Sequence, residues 1–125
     1  MKMNFLKFDK VVLPMVGPID NWFNVTFDED LIHIHIDIPE REEVRESFSW
    51  SEIIRVCFKT GDFMRSDEIY IFIESRPESY LIPTEADGGS SLWGEIIDRG
   101  LFDAELGIKA ATSPADELFC GPEGS

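Results

Sequence analysis

Basic residues are scarce in this chain. Eleven Lys and Arg stand against 25 Asp and Glu, a formal charge of −14. A surface of that sign repels phosphate backbones and anionic membranes at long range and attracts basic partners. The arginines (Arg41, Arg45, Arg55, Arg65, Arg76 and Arg99) are scattered among acids, with no basic–aromatic stripe, so neither nucleic acid nor a membrane is an expected partner. Cysteine is rarer still. Cys57 and Cys120 form no CxxC and no metal-ligand spacing, which fits thiols acting as small apolar groups in a reducing cytosol. No run approaches the roughly 18 apolar residues of a membrane span. The opening MKMNFLKFDKVV is broken by Lys7, Asp9 and Lys10, which excludes the apolar core of a secretory signal. These absences together predict a cytoplasmic protein.

Catalytic signatures are missing too. There is no P-loop lysine, no GxGxxG after a strand and no serine in a nucleophile elbow. Acids near strand ends (Glu52, Asp67, Glu68, Glu74, Glu85, Asp87) offer pairs, but acid–base work needs burial that splits two pKa values. No cofactor is expected, and an enzyme is the minority reading.

What is present is a strand grammar. A chain of 125 residues makes one domain with a real core, divided as an N-terminal segment 1–20, a sheet region 21–85, a helix 90–101 and a tail 112–125. Asn4 to Leu13 reads as an irregular strand or a short helix. Phe23 to Phe27 and Leu31 to Ile38 flank the acidic link Asp28-Glu29-Asp30 as a hairpin. Its second arm sets Ile32, Ile34, Ile36 and Ile38 against His33, His35 and Asp37, the period-two pattern of a half-buried strand. PEREEVRES (39–47) reads as a solvated loop or helical turn. Strands follow around SEIIRVCFKT, DEIYIFIES and ESYLIPTEA, the middle one apolar on both faces and hence central or part of a barrel wall. The connection from Gly61 to Asp67 reads as a mobile loop. Leu92, Trp93, Ile96, Ile97 and Leu101 form a helical stripe, with Ser90 or Ser91 as the cap and Gly100 as the stop. Ala104 to Ala111 adds a further helical turn or two, and Leu118-Phe119-Cys120 can tuck back onto the body.

Trp50-Ser51-Glu52-Ile53 leading into Arg55-Val56, then Ile69 to Ile73, Tyr80-Leu81-Ile82-Pro83 and the Leu92 to Leu101 helix resemble half of the small bacterial pleckstrin-homology-like domains. The resemblance implies an α+β fold: an antiparallel, strongly curled or barrel-like sheet with one C-terminal amphipathic helix. Relatives that bind inositol phosphates use a basic patch in the first hairpin, whereas this hairpin carries Asp28, Glu29 and Asp30, so headgroup binding does not carry over.

Three constellations have chemical content. His33, His35 and Asp37 share one strand face about 7 Å apart, a spacing open to a borderline metal such as zinc when a neighbouring strand adds a ligand; the alternative is a plain solvent face. Gly88-Gly89-Ser90-Ser91 precede a helix, where free amides favour an anion; the alternative is a turn and a cap. Trp22, beside Pro18 and Asn21, offers an aromatic anchor for a protein interface, with core as the ordinary role, and Asp28, Glu29 and Asp30 offer the charge that selects a basic partner. The preferred expectation is a small acidic protein-binding module, in one form an immunity-type protein masking a basic toxin; the competing one is a metal or small-ligand protein built on His33, His35 and Asp37. An exposed sheet edge would also permit a homo-oligomer by strand addition.

Overall fold

The structure, a computed structural model, describes residues 18–61, 66–111 and 117–121. The expected elements at Asn4–Leu13 and the centre of the Gly61–Asp67 connection lie outside the described residues.

Among the described residues seven strands and two helices follow one another: β1 Phe23–Phe27, β2 Leu31–Ile36, β3 Val44–Ser49, β4 Ile53–Lys59, β5 Glu68–Ile73, β6 Tyr80–Pro83, α1 Gly89–Asp98, α2 Ala104–Ala111 and β7 Leu118–Gly121. They form two antiparallel sheets, one of order β1-β2-β3 and one of order β6-β5-β4-β7. This corrects the expected architecture. Among the described residues neither sheet is closed or strongly curled, there are two helices instead of one, and a strand follows them. The break between sheets has a local cause. After β3 the chain makes a 3-10 turn over Trp50–Glu52, where the Glu52 carboxylate accepts from the Ser49 amide at 3.3 Å. That turn redirects the backbone, so β4 pairs with β5 and β7.

Side chains fill the space between. Phe23, Val25, Ile32, Ile34, Ile36 and Phe48 from the first sheet meet Val56, Phe58, Ile69, Ile71, Ile73 and Ile82 from the second, with Leu92 and Ile96 of α1, in one buried cluster. Each such side chain removed from water contributes about 1.5–3 kcal/mol. Phe48 stacks on Tyr80 with centroids 4.6 Å apart, and the Tyr80 hydroxyl donates to Glu46 Oε1 at 3.1 Å, so β3 and β6 meet through both contacts. Burial, more than any charged neighbour, raises the Tyr80 pKa above its ordinary value and keeps the phenol a donor.

Two expectations of detail change. Residues 44–49 form β3 instead of a loop. Alternation along SEIIRVCFKT puts Ile54, Val56 and Phe58 on one face, but Ile54 sits at a register irregularity of β4 and is 50% exposed, so only Val56 and Phe58 face inward. The apolar double face of β5 fits its interior place in the sheet. The helix ends as expected: Gly100 takes φ 78°, its amide reaches the Ile97 carbonyl at 3.0 Å and the Leu101 amide the Ile96 carbonyl at 3.1 Å. Its start does not, because the N-cap is Gly88 and both serines lie inside the first turn.

Cys57 and Cys120 face each other across the β4–β7 ladder and are joined as a disulfide. The reading of two free thiols is therefore corrected. Sequence could not pair them, since 63 positions separate them and β7 lies in the expected tail.

Candidate functional site

The β1–β2 link is exposed and acidic, yet tightly held. Asp28 Oδ1 accepts from the amides of both Asp30 and Leu31 at 2.8 Å. Those two bonds, the Leu31 one foremost, with His33 nearby, hold the Asp28 carboxyl below its ordinary pKa. From behind, the Trp50 indole donates to the Asp28 carbonyl at 2.9 Å, and the Trp50 amide donates to the Asp30 carbonyl at 3.1 Å. Arg99 lies over the Trp50 ring, 3.9 Å from its centroid, donating to the Glu29 carbonyl at 3.3 Å and pairing with Glu95 at 2.9 Å. The amides of Asp28, Asp30 and Leu31 and the carbonyls of Asp28, Glu29, Asp30 and Leu31 are thus satisfied internally. The side chains of Glu29 and Asp30 remain exposed.

Beside this tip lies an open groove of about 460 Å³ lined by Glu29, Asp30, Leu31, Trp50, Arg99 and Leu101. Leu31 is 37% exposed and lines the same groove as Glu29 and Asp30. Chemically the groove suits a long cationic side chain: aliphatic stem against Leu31 and Leu101, charged head at Glu29 and Asp30. Arg99 already shows this chemistry from within the chain.

Trp22 plays no part in it. It is 3% exposed, packs on Phe23 with centroids 6.0 Å apart, and accepts at its carbonyl from the Asp37 amide at 2.9 Å. Of the two roles open to it, surface anchor and core, Trp22 takes the core one. The aromatic residue behind the acidic tip is Trp50, 7% exposed. Its place came from a strand start, and no local pattern linked it to residues 28–30.

The histidine face is split. His33 Nδ1 lies 2.8 Å from Ser47 Oγ and its Nε2 4.0 Å from Asp28 Oδ2. His35 Nε2 instead bonds Glu43 Oε2 at 2.5 Å, and Arg45 pairs with the same carboxylate at 2.8 Å. The His35 bond first, then the Arg45 charge, holds the Glu43 carboxyl below its ordinary pKa. The expected set His33, His35 and Asp37 therefore does not assemble; the ligand atoms that converge belong to His35, Asp37 and Glu43. Glu43 was missed because the segment before β3 is so charged that it read as loop.

Gly88, Ser90 and Ser91 border a second groove of about 580 Å³, but Asp20, Glu85 and Asp87 line it as well. Three carboxylates oppose the anion expected at Gly88, Gly89, Ser90 and Ser91. The glycines have a packing reason instead. A Cβ on Gly89 would lie 2.6 Å from the Pro83 carbonyl oxygen and 2.7 Å from that of Thr84.

Depressed pKa values at Asp28 and Glu43 give stability that is present above the ordinary carboxylate range and lost as pH falls through the lowered folded values. The urea midpoint should therefore be level near neutrality and fall below about pH 4. In Asp28→Asn the acid-side fall should be shallower, because the amide keeps an acceptor oxygen but no longer titrates. An unchanged acid limb would show that Asp28 is not held ionised by the fold.

No family model, no curated protein and no solved structure matches this chain. Among the described residues no helix is long and apolar enough to cross a membrane.

Proposed function

We propose that this protein is a non-catalytic binding module that captures a basic segment of a partner protein at the β1–β2 tip and its groove. The observation that carries the reading is the display of Glu29 and Asp30 beside exposed Leu31 on one groove, with the Asp28, Asp30 and Leu31 amides and the Asp28, Glu29 and Asp30 carbonyls already bonded. Preorganised charge chooses the partner and speeds encounter, and the apolar floor supplies contact that charge alone lacks. Masking of a basic toxin by an immunity-type protein is one form of this function, supported by the net charge of −14. The Cys57–Cys120 disulfide weighs against the cytoplasmic place of work expected from the sequence, because disulfides are rare in the cytosol.

The test uses a defined probe, a short labelled peptide rich in arginine and lysine, followed by fluorescence anisotropy at two salt concentrations. Glu29→Gln with Asp30→Asn should weaken binding about tenfold, near 1.4 kcal/mol. Asp103→Asn with Glu105→Gln makes the same charge change on exposed residues outside the groove and should cost less than about twofold. Equal losses in the two pairs would reduce the effect to bulk charge and end the proposal.

A further inference from the structure

The β2–β3 hairpin builds a second constellation that owes nothing to the acidic tip. In its register His35 lies opposite Arg45, and Ile36 opposite Val44 closes the ladder. One step further out, Asp37 leaves β2 and Glu43 enters β3. Odd-numbered positions of both strands face outward, so His35, Asp37, Glu43 and Arg45 form a square of side chains at the hairpin mouth. A tight turn holds the mouth in shape: the Arg41 amide bonds the Ile38 carbonyl at 3.0 Å, with Pro39 and Glu40 at the corner and Glu40 at φ 66°. The Asp37 backbone is fixed as well, by its amide bond to the Trp22 carbonyl at 2.9 Å.

We propose that His35 Nε2 and the carboxylates of Asp37 and Glu43 bind one divalent metal ion of borderline softness, with zinc the best match. The three ligand atoms lie within 4.8 Å of one another. Around a tetrahedral zinc with bonds of about 2.0–2.2 Å, ligand atoms stand roughly 3.3 Å apart. Small rotations of exposed side chains convert one arrangement into the other, and water completes the shell. One imidazole with two carboxylates favours zinc over magnesium or calcium, which prefer all-oxygen sets. Without metal, Glu43 is shared between His35 and Arg45. Metal binding places the remaining imidazole proton on Nδ1 and frees the Nε2 lone pair, while Arg45, 71% exposed, swings into solvent. Arg45 is thus a built-in competitor for Glu43.

His33 gives the internal control, because it shares the strand face but is directed to Ser47 and Asp28. Isothermal titration of the untagged full chain with zinc ion alone, in a non-chelating buffer, should show one saturable site. His35→Ala, Asp37→Asn or Glu43→Gln should each weaken it about tenfold or more. His33→Ala should change it less than about twofold, and Arg45→Ala should tighten it. All five side chains lie on a polar outer face, and urea unfolding of each variant verifies that it is folded. The imidazole resonances of His35 should shift on zinc addition while those of His33 hold still. Absence of a saturable site, or an equal loss in His33→Ala, overturns the proposal. Neither result touches the basic-partner reading, whose residues lie at the other end of β2.

Discussion

Reducing the Cys57–Cys120 disulfide should lower the unfolding free energy by about 4 kcal/mol, the chain-entropy value for a closed loop of this length, the two cysteines being 63 positions apart. In midpoint temperature that is on the order of 10–20 °C for a domain of this size. The expected size rests on how little else holds the C-terminal strand. β7 has four residues, pairs among the described residues only with β4, and leaves Leu118 60% exposed. Its other ties include the register pairs Val56–Gly121, Phe58–Phe119 and Lys59–Leu118, the packing of half-buried Phe119 on the core, and the bonds around Thr60, whose amide reaches the Glu117 carbonyl at 3.0 Å while its hydroxyl accepts from the Glu117 amide at 3.0 Å. Once the bond is open, β7 should fray and expose the β4 edge. The checks are urea unfolding with and without reductant and hydrogen exchange at Val56 to Lys59. Cys57 is 4% exposed, so reduction should also be slow in native buffer and fast in mild denaturant. A midpoint that does not move, with two thiols titrating in the oxidised sample, would mean that the pair is not formed.

Gly88→Ala should be the most damaging single glycine substitution, costing about 3 kcal/mol. Gly88 holds φ +88°, and a Cβ there would lie 2.0 Å from the Val25 carbonyl oxygen. That obstacle is backbone and cannot rotate away. Val25 is also bonded to this corner, its amide reaching the Asp87 carbonyl at 2.8 Å, while the Asp87 amide reaches the Phe23 carbonyl at 2.9 Å. The corner fastens the start of α1 to β1, so relief of the clash would pull α1 off the core. Gly100, at φ +78° with open space around it, should cost only the conformational term of about 1 kcal/mol when changed to Ala. Gly94, inside α1 with nothing within 4 Å of a new Cβ, should gain roughly 0.5–1 kcal/mol as Ala. Urea midpoints in the order Gly94→Ala, wild type, Gly100→Ala, Gly88→Ala would support this. A neutral Gly88→Ala would show that α1 is not fastened there.

The parts of the fold legible in the sequence are those whose signal is local. Strict alternation over Leu31–Ile38 marks β2, the acidic link marks its hairpin, and the apolar stripe with Gly100 marks α1 and its end. β3 escapes notice because its inner row reads Val44, Glu46, Phe48. Glu46 stands opposite Ile34, where a hydrophobic residue is expected, and is satisfied by the Tyr80 hydroxyl of the other sheet. No window around residue 46 contains Tyr80. Without β3 the sheet count fails, and one curled sheet becomes the natural reading. The sites fail in the same way. Asp28, Glu29 and Asp30 were visible as an acidic tip, but their support by Trp50 and Arg99 spans 22 and 70 positions. The polar neighbours of Trp22 leave a surface anchor open beside the ordinary core role, and the core role is the one it takes.

The basic-partner reading is tested most directly by mapping where a basic peptide lands. Amide and indole resonances of the uniformly labelled protein would be followed while the arginine- and lysine-rich peptide is added at low salt. The expected result is a compact set of shifts at Glu29 to Leu31, Ser49 to Ser51, Arg99 and Leu101, including the Trp50 indole, fading as salt is raised. Shifts spread over every acidic surface, or centred away from the β1–β2 tip, would contradict it.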